Sequence, residues 1–297
     1  MFDAVDARLA EAPTFTPSAG ALSRLSFEGP EAELTLTAYT QPAIVATSIA
    51  TLAAMKERMG DLPPPSFAAG HSLGEYAALV AAGAFSVEDA CAVVHLRGRA
   101  MQEAVPAGAG AMSAVIGMDP ATIEEICREA ALATGEVVSP ANFNAPGQIV
   151  IAGSATAVKK ASELVSARKG KAIPLKVSAP FHCALMEPAA EVVRTALASV
   201  PVAAPTFPVV ANVDALPRTE PAEIVDALVR QVASPVRWQA SVEAMVAAGV
   251  THALEIGPGK VLAGLCKRIA PSLLVHNVFD LASLDALPAF LAPKDLP

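Results

Sequence analysis

Phe67-Ala68-Ala69-Gly70-His71-Ser72-Leu73-Gly74-Glu75-Tyr76-Ala77-Ala78-Leu79-Val80-Ala81-Ala82-Gly83 is the stretch on which the fold turns. Three apolar residues suited to a short strand run straight into Gly-x-Ser-x-Gly. The residues after the motif recur at helical spacing and stop at Gly83, a natural C-cap. Strand, tight turn and helix in this order are the building unit of an α/β protein. Such a turn lifts a serine hydroxyl clear of the backbone. Both glycines are expected because side chains would clash where the chain reverses. The helix start then aims free N–H groups, that of Leu73 first, at an oxyanion formed on attack by Ser72.

Working outward, the 297 residues suffice for one large α/β domain or a large domain with a smaller one inserted. Hydrophobic residues make up 53% and aromatics only 4%, so the core must be built mainly from Ala, Val and Leu. A net charge of −8 argues against a general nucleic-acid or membrane-surface binder. Cys91, Cys127, Cys183 and Cys266 are scattered without a C-x-x-C pair, which points away from metal sites and a disulfide framework. The acidic start Met1-Phe2-Asp3-Ala4-Val5-Asp6 is unlike a signal peptide, and no apolar run is long enough to span a membrane. A cytoplasmic protein is expected.

Helices are predicted over 1–12, 43–59, 73–82 and 87–104, with Asp61-Leu62-Pro63-Pro64-Pro65 separating the second from the strand at 67–69. Between 108 and 178 the pattern is strand (111–116), helix (120–133), two strands (137–141, 148–152), helix (155–168) and strand (171–177). This β-α-β-β-α-β order predicts a ferredoxin-like subdomain. It is inserted in a larger α/β-hydrolase-like body with a parallel sheet, formed by 1–107 and 179–297. The body resumes with helix 184–199, strand 209–211, helices 220–233 and 239–248, and strand 252–256. The tail from 282, with Pro288, Pro293 and Pro297, is expected to be loosely ordered.

A serine nucleophile needs a base, usually histidine. Of His71, His95, His182, His252 and His276, His182 is favoured because Ser178-Ala179-Pro180-Phe181-His182-Cys183 reads as a loop after a strand, where reactive side chains are presented. His276 stands next. His71 and His95 read as structural, and Cys183 as a small packing residue rather than a rival nucleophile.

Seven strings in order resemble the malonyl-CoA:acyl carrier protein transacylase family, which includes the acyltransferase domains of fatty-acid and polyketide synthases. They are Tyr39-Thr40-Gln41-Pro42-Ala43, Gly70-His71-Ser72-Leu73-Gly74-Glu75-Tyr76, Arg97-Gly98-Arg99-Ala100-Met101-Gln102, Asn142-Phe143-Asn144-Ala145-Pro146-Gly147-Gln148, Pro180-Phe181-His182, Asn212-Val213-Asp214 and Gly257-Pro258-Gly259-Lys260-Val261-Leu262. The resemblance implies Ser72 as nucleophile, His182 as base, Leu73 as an oxyanion donor and Gln231 as the residue whose carbonyl orients the histidine. It implies Arg97 as the clamp for the malonyl carboxylate, and Phe181 and Asn142 as further substrate-binding positions. A bulky Phe181 would crowd an α-methyl branch, favouring malonyl. No metal or cofactor is implied, only malonyl-CoA and a phosphopantetheine-bearing acyl carrier protein. Lys159, Lys160, Arg168, Lys169, Lys171 and Lys176, with Lys267 and Arg268, read either as a surface that steers this acidic partner or as a solvated face.

The family usually opens with an apolar strand and a Gly-Gln-Gly-Ser-Gln loop whose glutamine N–H is a second oxyanion donor. This sequence has no such loop, so the first strand is expected to be missing and the assigned start to lie too far downstream. The competing readings are a serine hydrolase using an acidic residue and His276, and an acyltransferase-like scaffold with a dead site.

Overall fold

The computed structural model describes residues 1–60, 62–177 and 179–292. Its first third is helical: α1 (Phe2–Ala10), α2 (Leu22–Glu28), α3 (Glu31–Leu34) and α4 (Thr37–Met59) precede the short strand β1 (Ala68–Ala69), then α5 (Gly74–Ala81) and α6 (Val87–Glu103). α4 starts six residues before its expected boundary at 43 and carries Pro42 inside it. Pro42 has no N–H to give the carbonyl four residues back. That carbonyl, of Ala38, is instead served from α6: His95 Nδ1 donates to it at 2.9 Å. The proline that argues against a helix from sequence is thus compensated from outside the helix.

The next elements are β2 (Gly110–Ile116), α7 (Pro120–Thr134), β3 (Val138–Ala145), β4 (Gln148–Ser154), α8 (Ala155–Ala167) and β5 (Lys171–Pro174). They form an antiparallel sheet in the order β3-β4-β2-β5. Asp119 and Ser154 cap α7 and α8 through their side chains. Val115, Ile123, Ile126, Ile149, Ile151, Val158 and Val165 make a hydrophobic cluster of their own between this sheet and its two helices. β3 also reaches outward: Phe143 N–H donates to Val236 O and Val236 N–H to Ala141 O, both at 2.9 Å.

After a short 3-10 turn (Ala184–Met186) come α9 (Glu187–Ala198), β6 (Val209–Val210), β7 (Pro217–Arg218), α10 (Pro221–Ala233), α11 (Trp238–Ala247), β8 (His252–Ile256), α12 (Val261–Ile269), β9 (Leu274–Val278) and α13 (Leu281–Leu291). Parallel pairing joins β1 to β6 and β8 to β9, with an isolated parallel bridge between Asn142 and Val236. The largest core packs α1, α4, α5, α6, α9 and α10 through residues such as Leu9, Val45, Leu79, Val94, Val193 and Leu228.

The tail corrects the sequence expectation. Asp280 and Ser283 form a capping box, and α13 buries Leu284 and Leu287 against Met55 and Val278. Burial outweighs the one backbone bond that Pro288 removes. Pro293 and Pro297, like Asp61 and Ser178, lie outside the described residues. β9 escapes a pattern reading because His276 and Asn277 interrupt its apolar run.

Candidate active site

β1 and β6 run parallel with Ala68 opposite Val209 and Ala69 opposite Val210. The chain leaving each strand therefore emerges at the same sheet end, where open α/β sheets hold their ligands. From β1 this is the Gly70–Gly74 turn; from β6 it is the loop 211–216. Ser72 sits at φ +53°, a left-handed conformation that costs a residue with a side chain on the order of 1–3 kcal/mol. The two glycines are not equivalent. A Cβ on Gly70 would run into the backbone carbonyl of Gly74, whereas one on Gly74 meets nothing within 4 Å. Only the first glycine is sterically required, which corrects the expectation for both. Gly70→Ala is expected to destabilise the protein by about 3 kcal/mol or more, and Gly74→Ala to leave the denaturant midpoint nearly unchanged. Urea titrations of the two variants check this.

Ser72 Oγ lies 2.8 Å from His182 Nε2 and 3.0 Å from Arg97 Nη2. His182 Nδ1 donates to the backbone carbonyl of Gln231 at 2.9 Å. His182 is itself held at φ +60° and is only 3% exposed. Burial, reinforced by the Arg97 charge, pushes its pKa down to about 3. The ring is therefore neutral, with its proton on Nδ1 and Nε2 left to accept from the Ser72 hydroxyl. Arg97 then donates to the same oxygen, so the Oγ–H points at the histidine. Leu73 occupies the N-cap of α5, and no group among the described residues accepts its N–H.

Arg97, 1% exposed, carries no carboxylate on its fork among the described residues. Nη1 donates to Gln41 Oε1 at 2.6 Å and Nη2 to Gln231 Oε1 at 2.9 Å, while the buried Nε has no partner among the described residues. Its guanidinium carbon stands 5.9 Å from the centre of the Tyr76 ring. Gln231 Nε2 in turn donates to Ser72 O at 3.0 Å and to Glu75 Oε2 at 2.8 Å. One glutamine thus ties the histidine, the arginine and the serine turn together.

Glu75 is 3% exposed, and burial raises its pKa to about 7 from an ordinary 4.5, against the opposing pull of its bonds to Asn212 and Gln231. Between these values the folded state holds a proton that the unfolded state has lost, so stability falls as pH rises through the window. His182 runs the other way: between about 3 and 6.5 the unfolded state holds the extra proton, so stability rises with pH. Glu75→Gln cannot ionise. Its stability relative to the parent protein is expected to increase by on the order of 2 kcal/mol between about pH 5 and 8. Denaturant midpoints at both pH values check the sign.

The remaining sequence-selected residues lie apart from this hydrogen-bonded centre. Phe181 packs half-buried against two hydrophobic clusters. Asn142 is buried in β3 and bridges to Val236; the asparagine of that strand that bonds the turn is Asn144, 2.8 Å from His71 Nε2. His276 bonds the carbonyl of Ser283 and stacks on Phe290, and His95 packs against Phe15. Cys183 is buried and its thiol is pushed up to about 11 by burial, so it is no thiolate. Arg168 is paired with Glu125 and Glu129, which offsets its charge, whereas Arg268 bonds the neutral amide of Gln148 and keeps its charge at the surface. Among the described residues no group of His, Cys, Asp and Glu could hold a metal, and no helix is long and apolar enough to cross a membrane. Sequence reasoning assigned no role to Glu75, Gln41 or Asn212. The one signal for Glu75 was a carboxylate in the first turn of a helix that begins directly at the motif.

Residues 2–281 match the family described as acyl transferase domain. The chain belongs to that family. This acyl transferase is 49% identical over 278 residues to the malonyl CoA-acyl carrier protein transacylase of Salmonella typhimurium, spanning 92% of this chain and 89% of that relative. Among solved structures, the acyl-carrier-protein S-malonyltransferase of Burkholderia pseudomallei superposes with a TM-score of 0.89 at 45% identity, covering 96% of this chain and 89% of that one. A chain from the solved complex of a type II PKS acyl-carrier protein with its malonyl-transacylase superposes with a TM-score of 0.86 at 46% identity, covering 96% of this chain and 91% of that one. The acyl transferase thus resembles both over nearly its whole length.

Proposed function

We propose that this acyl transferase moves a malonyl group from malonyl-CoA to the phosphopantetheine thiol of an acyl carrier protein, through an ester on Ser72. The observation that carries the reading is the chain Ser72 Oγ–His182 Nε2 and His182 Nδ1–Gln231 O, with Arg97 donating to the same Oγ. Ser72 Oγ attacks the thioester carbon while its proton passes to His182 Nε2. The oxyanion faces the free Leu73 N–H. The C–S bond then breaks, and the departing thiolate takes the proton from His182. Transfer runs the same steps in reverse with the carrier thiol as attacking group.

Arg97 suits the malonyl carboxylate because its buried fork holds only neutral partners and an unpaired Nε. A planar carboxylate accepts two parallel bonds from such a group. With a backbone carbonyl as orienter, no carboxylate stands against the imidazolium. Phe181 and Asn142 belong to this proposal as flanking substrate positions. Residues 1–107 and 179–297 are taken as one α/β-hydrolase-like body and 108–178 as a ferredoxin-like insert, supported by its strand order and separate hydrophobic cluster. Exposed Lys159, Lys169, Lys171 and Lys176 offer a basic approach for the acidic carrier. The chemistry needs no metal or cofactor.

Intact-protein mass spectrometry after mixing with malonyl-CoA tests the reading. A malonyl adduct on Ser72 that disappears on adding carrier protein, with malonyl gained by the carrier, is the expected result. Release of free malonate without transfer would identify a hydrolase, and an unmodified Ser72 would identify a dead site.

A further inference from the structure

The amide of Asn212 grips the serine turn from both sides. Its Oδ1 accepts the Ser72 N–H at 2.7 Å, and its Nδ2 donates to Gly70 O at 2.7 Å. Its own backbone is pinned as well. Asn212 N–H donates to Glu75 Oε2, and Arg237 N–H donates to Asn212 O, both at 2.9 Å. The residue is fully buried. The register of β1 with β6 brings it there, because residue 212 leaves β6 beside the turn that leaves β1.

We infer that Asn212 is a positioning residue that, together with the Gln231 bond to Ser72 O, holds the Ser72 turn in its left-handed conformation, and that it decides which N–H faces the substrate. Ser72 at φ +53° would relax unless something outside the turn held it. The amide does so with one acceptor and one donor, each matched to a backbone group of opposite kind. Because Oδ1 occupies the Ser72 N–H, that group is withdrawn from the oxyanion, and the neighbouring Leu73 N–H is left to meet it. Asn212 touches neither Ser72 Oγ nor His182, so it acts through the turn. The acyl-enzyme rate reports this inference and therefore rests on the proposed malonyl chemistry.

Asn212→Asp separates positioning from bulk stability. The introduced carboxylate keeps the shape and can still accept from Ser72 N–H, but it sets a second oxygen against Gly70 O. Protonation restores a donor to that carbonyl. Glu75 on α5 accepts the Asn212 N–H and the Arg237 backbone N–H donates to its carbonyl, while Arg97 and Asp214 act on Glu75, and Arg97 and His71 on His182, around the same turn. Glu75 titrates in the same window, so the ratio of the variant rate to the parent rate is also taken in the Glu75→Gln background, where only the introduced carboxylate can titrate at this contact.

The experiment measures the rate of Ser72 acylation per active site, by quenched-flow mass spectrometry, for the parent protein, N212D and N212A at about pH 5 and 8. N212D is prepared at the lower pH and jumped to the higher one, so the rate is read before any unfolding. At about pH 8 both variants are expected to acylate about 10²-fold more slowly with the substrate KM unchanged. At about pH 5 N212D is expected to recover to within about tenfold of the parent protein, and N212A not to recover. A N212D rate equal to the parent's at both pH values, a loss that is the same at both, or a change in KM alone would overturn the inference. A fluorophosphonate that labels serine nucleophiles is run alongside. If the parent protein takes the label but no malonyl, the malonyl reading has failed, and the same rate ratios with the label decide the role of Asn212.

Discussion

Replacing His182 by alanine is expected to slow acylation of Ser72 by about 10⁴-fold, the upper range for loss of a positioned acid–base group. The variant keeps the Arg97 bond to Ser72 Oγ, so the hydroxyl stays in place but has no group to take its proton. His182 is neutral down to about pH 3 because it is buried beside a guanidinium. In the parent protein the acylation rate should therefore show no fall near 6.5, where an ordinary histidine would gain its proton. Quenched-flow acylation of both proteins from about pH 5 to 8 checks both statements. A loss of less than about tenfold in the variant, or an inflection near 6.5 that persists when Glu75, itself raised to about 7, is replaced by glutamine, would remove His182 from the role of base.

The second large effect is on selectivity. Arg97→Ala is expected to lower malonyl transfer by about 10³-fold, in the range for truncating one partner of a buried charge pair. Acetyl transfer should fall only about tenfold, through the shared loss of the bond to Ser72 Oγ. The ratio of kcat/KM for the two acyl groups isolates the carboxylate contact, because every other consequence of the truncation acts on both. Equal losses would show that Arg97 serves the hydroxyl alone. Arg97→Lys is expected to resemble alanine in this ratio. An ammonium is a point donor and cannot serve Gln41 Oε1, Gln231 Oε1, Ser72 Oγ and an incoming carboxylate from one position. Its stability should also fall, since two buried amide oxygens would compete for one group.

How much of this was legible depended on how far the determining contacts reach along the chain. The serine turn is local, a strand, five residues and a helix, and its pattern sufficed to locate Ser72. Even there the role of Gly74 was misjudged, because whether a Cβ has room depends on neighbours that a motif does not display. The strand–helix alternation between 108 and 178 was readable for the same local reason. His182 could only be ranked above four other histidines from chemistry, and Arg97 and Gln231 came from the resemblance. Asn212 meets Ser72 across 140 residues and Gln231 meets Glu75 across 156, and no periodicity encodes either pairing. α4 and α13 were under-read because Pro42 and Pro288 signal breaks locally. His95 compensates the first and burial of Leu284 and Leu287 the second.

Gln231 divides its work between atoms that genetics can reach and one that it cannot. The side-chain amide serves Arg97, Glu75 and the Ser72 carbonyl, while the main-chain oxygen alone holds the histidine ring. Any amino acid placed at 231 brings its own carbonyl, so an alanine scan records only the first half. The second half answers to a change in the polymer itself. Exchanging the amide that joins Gln231 to Val232 for an ester would leave every side chain as it is and make that oxygen a poorer acceptor. The imidazole would then be held less firmly on its Nδ1 side while keeping its bond to Ser72 Oγ, and the slower acylation would report what a backbone oxygen contributes where other serine enzymes use an acid.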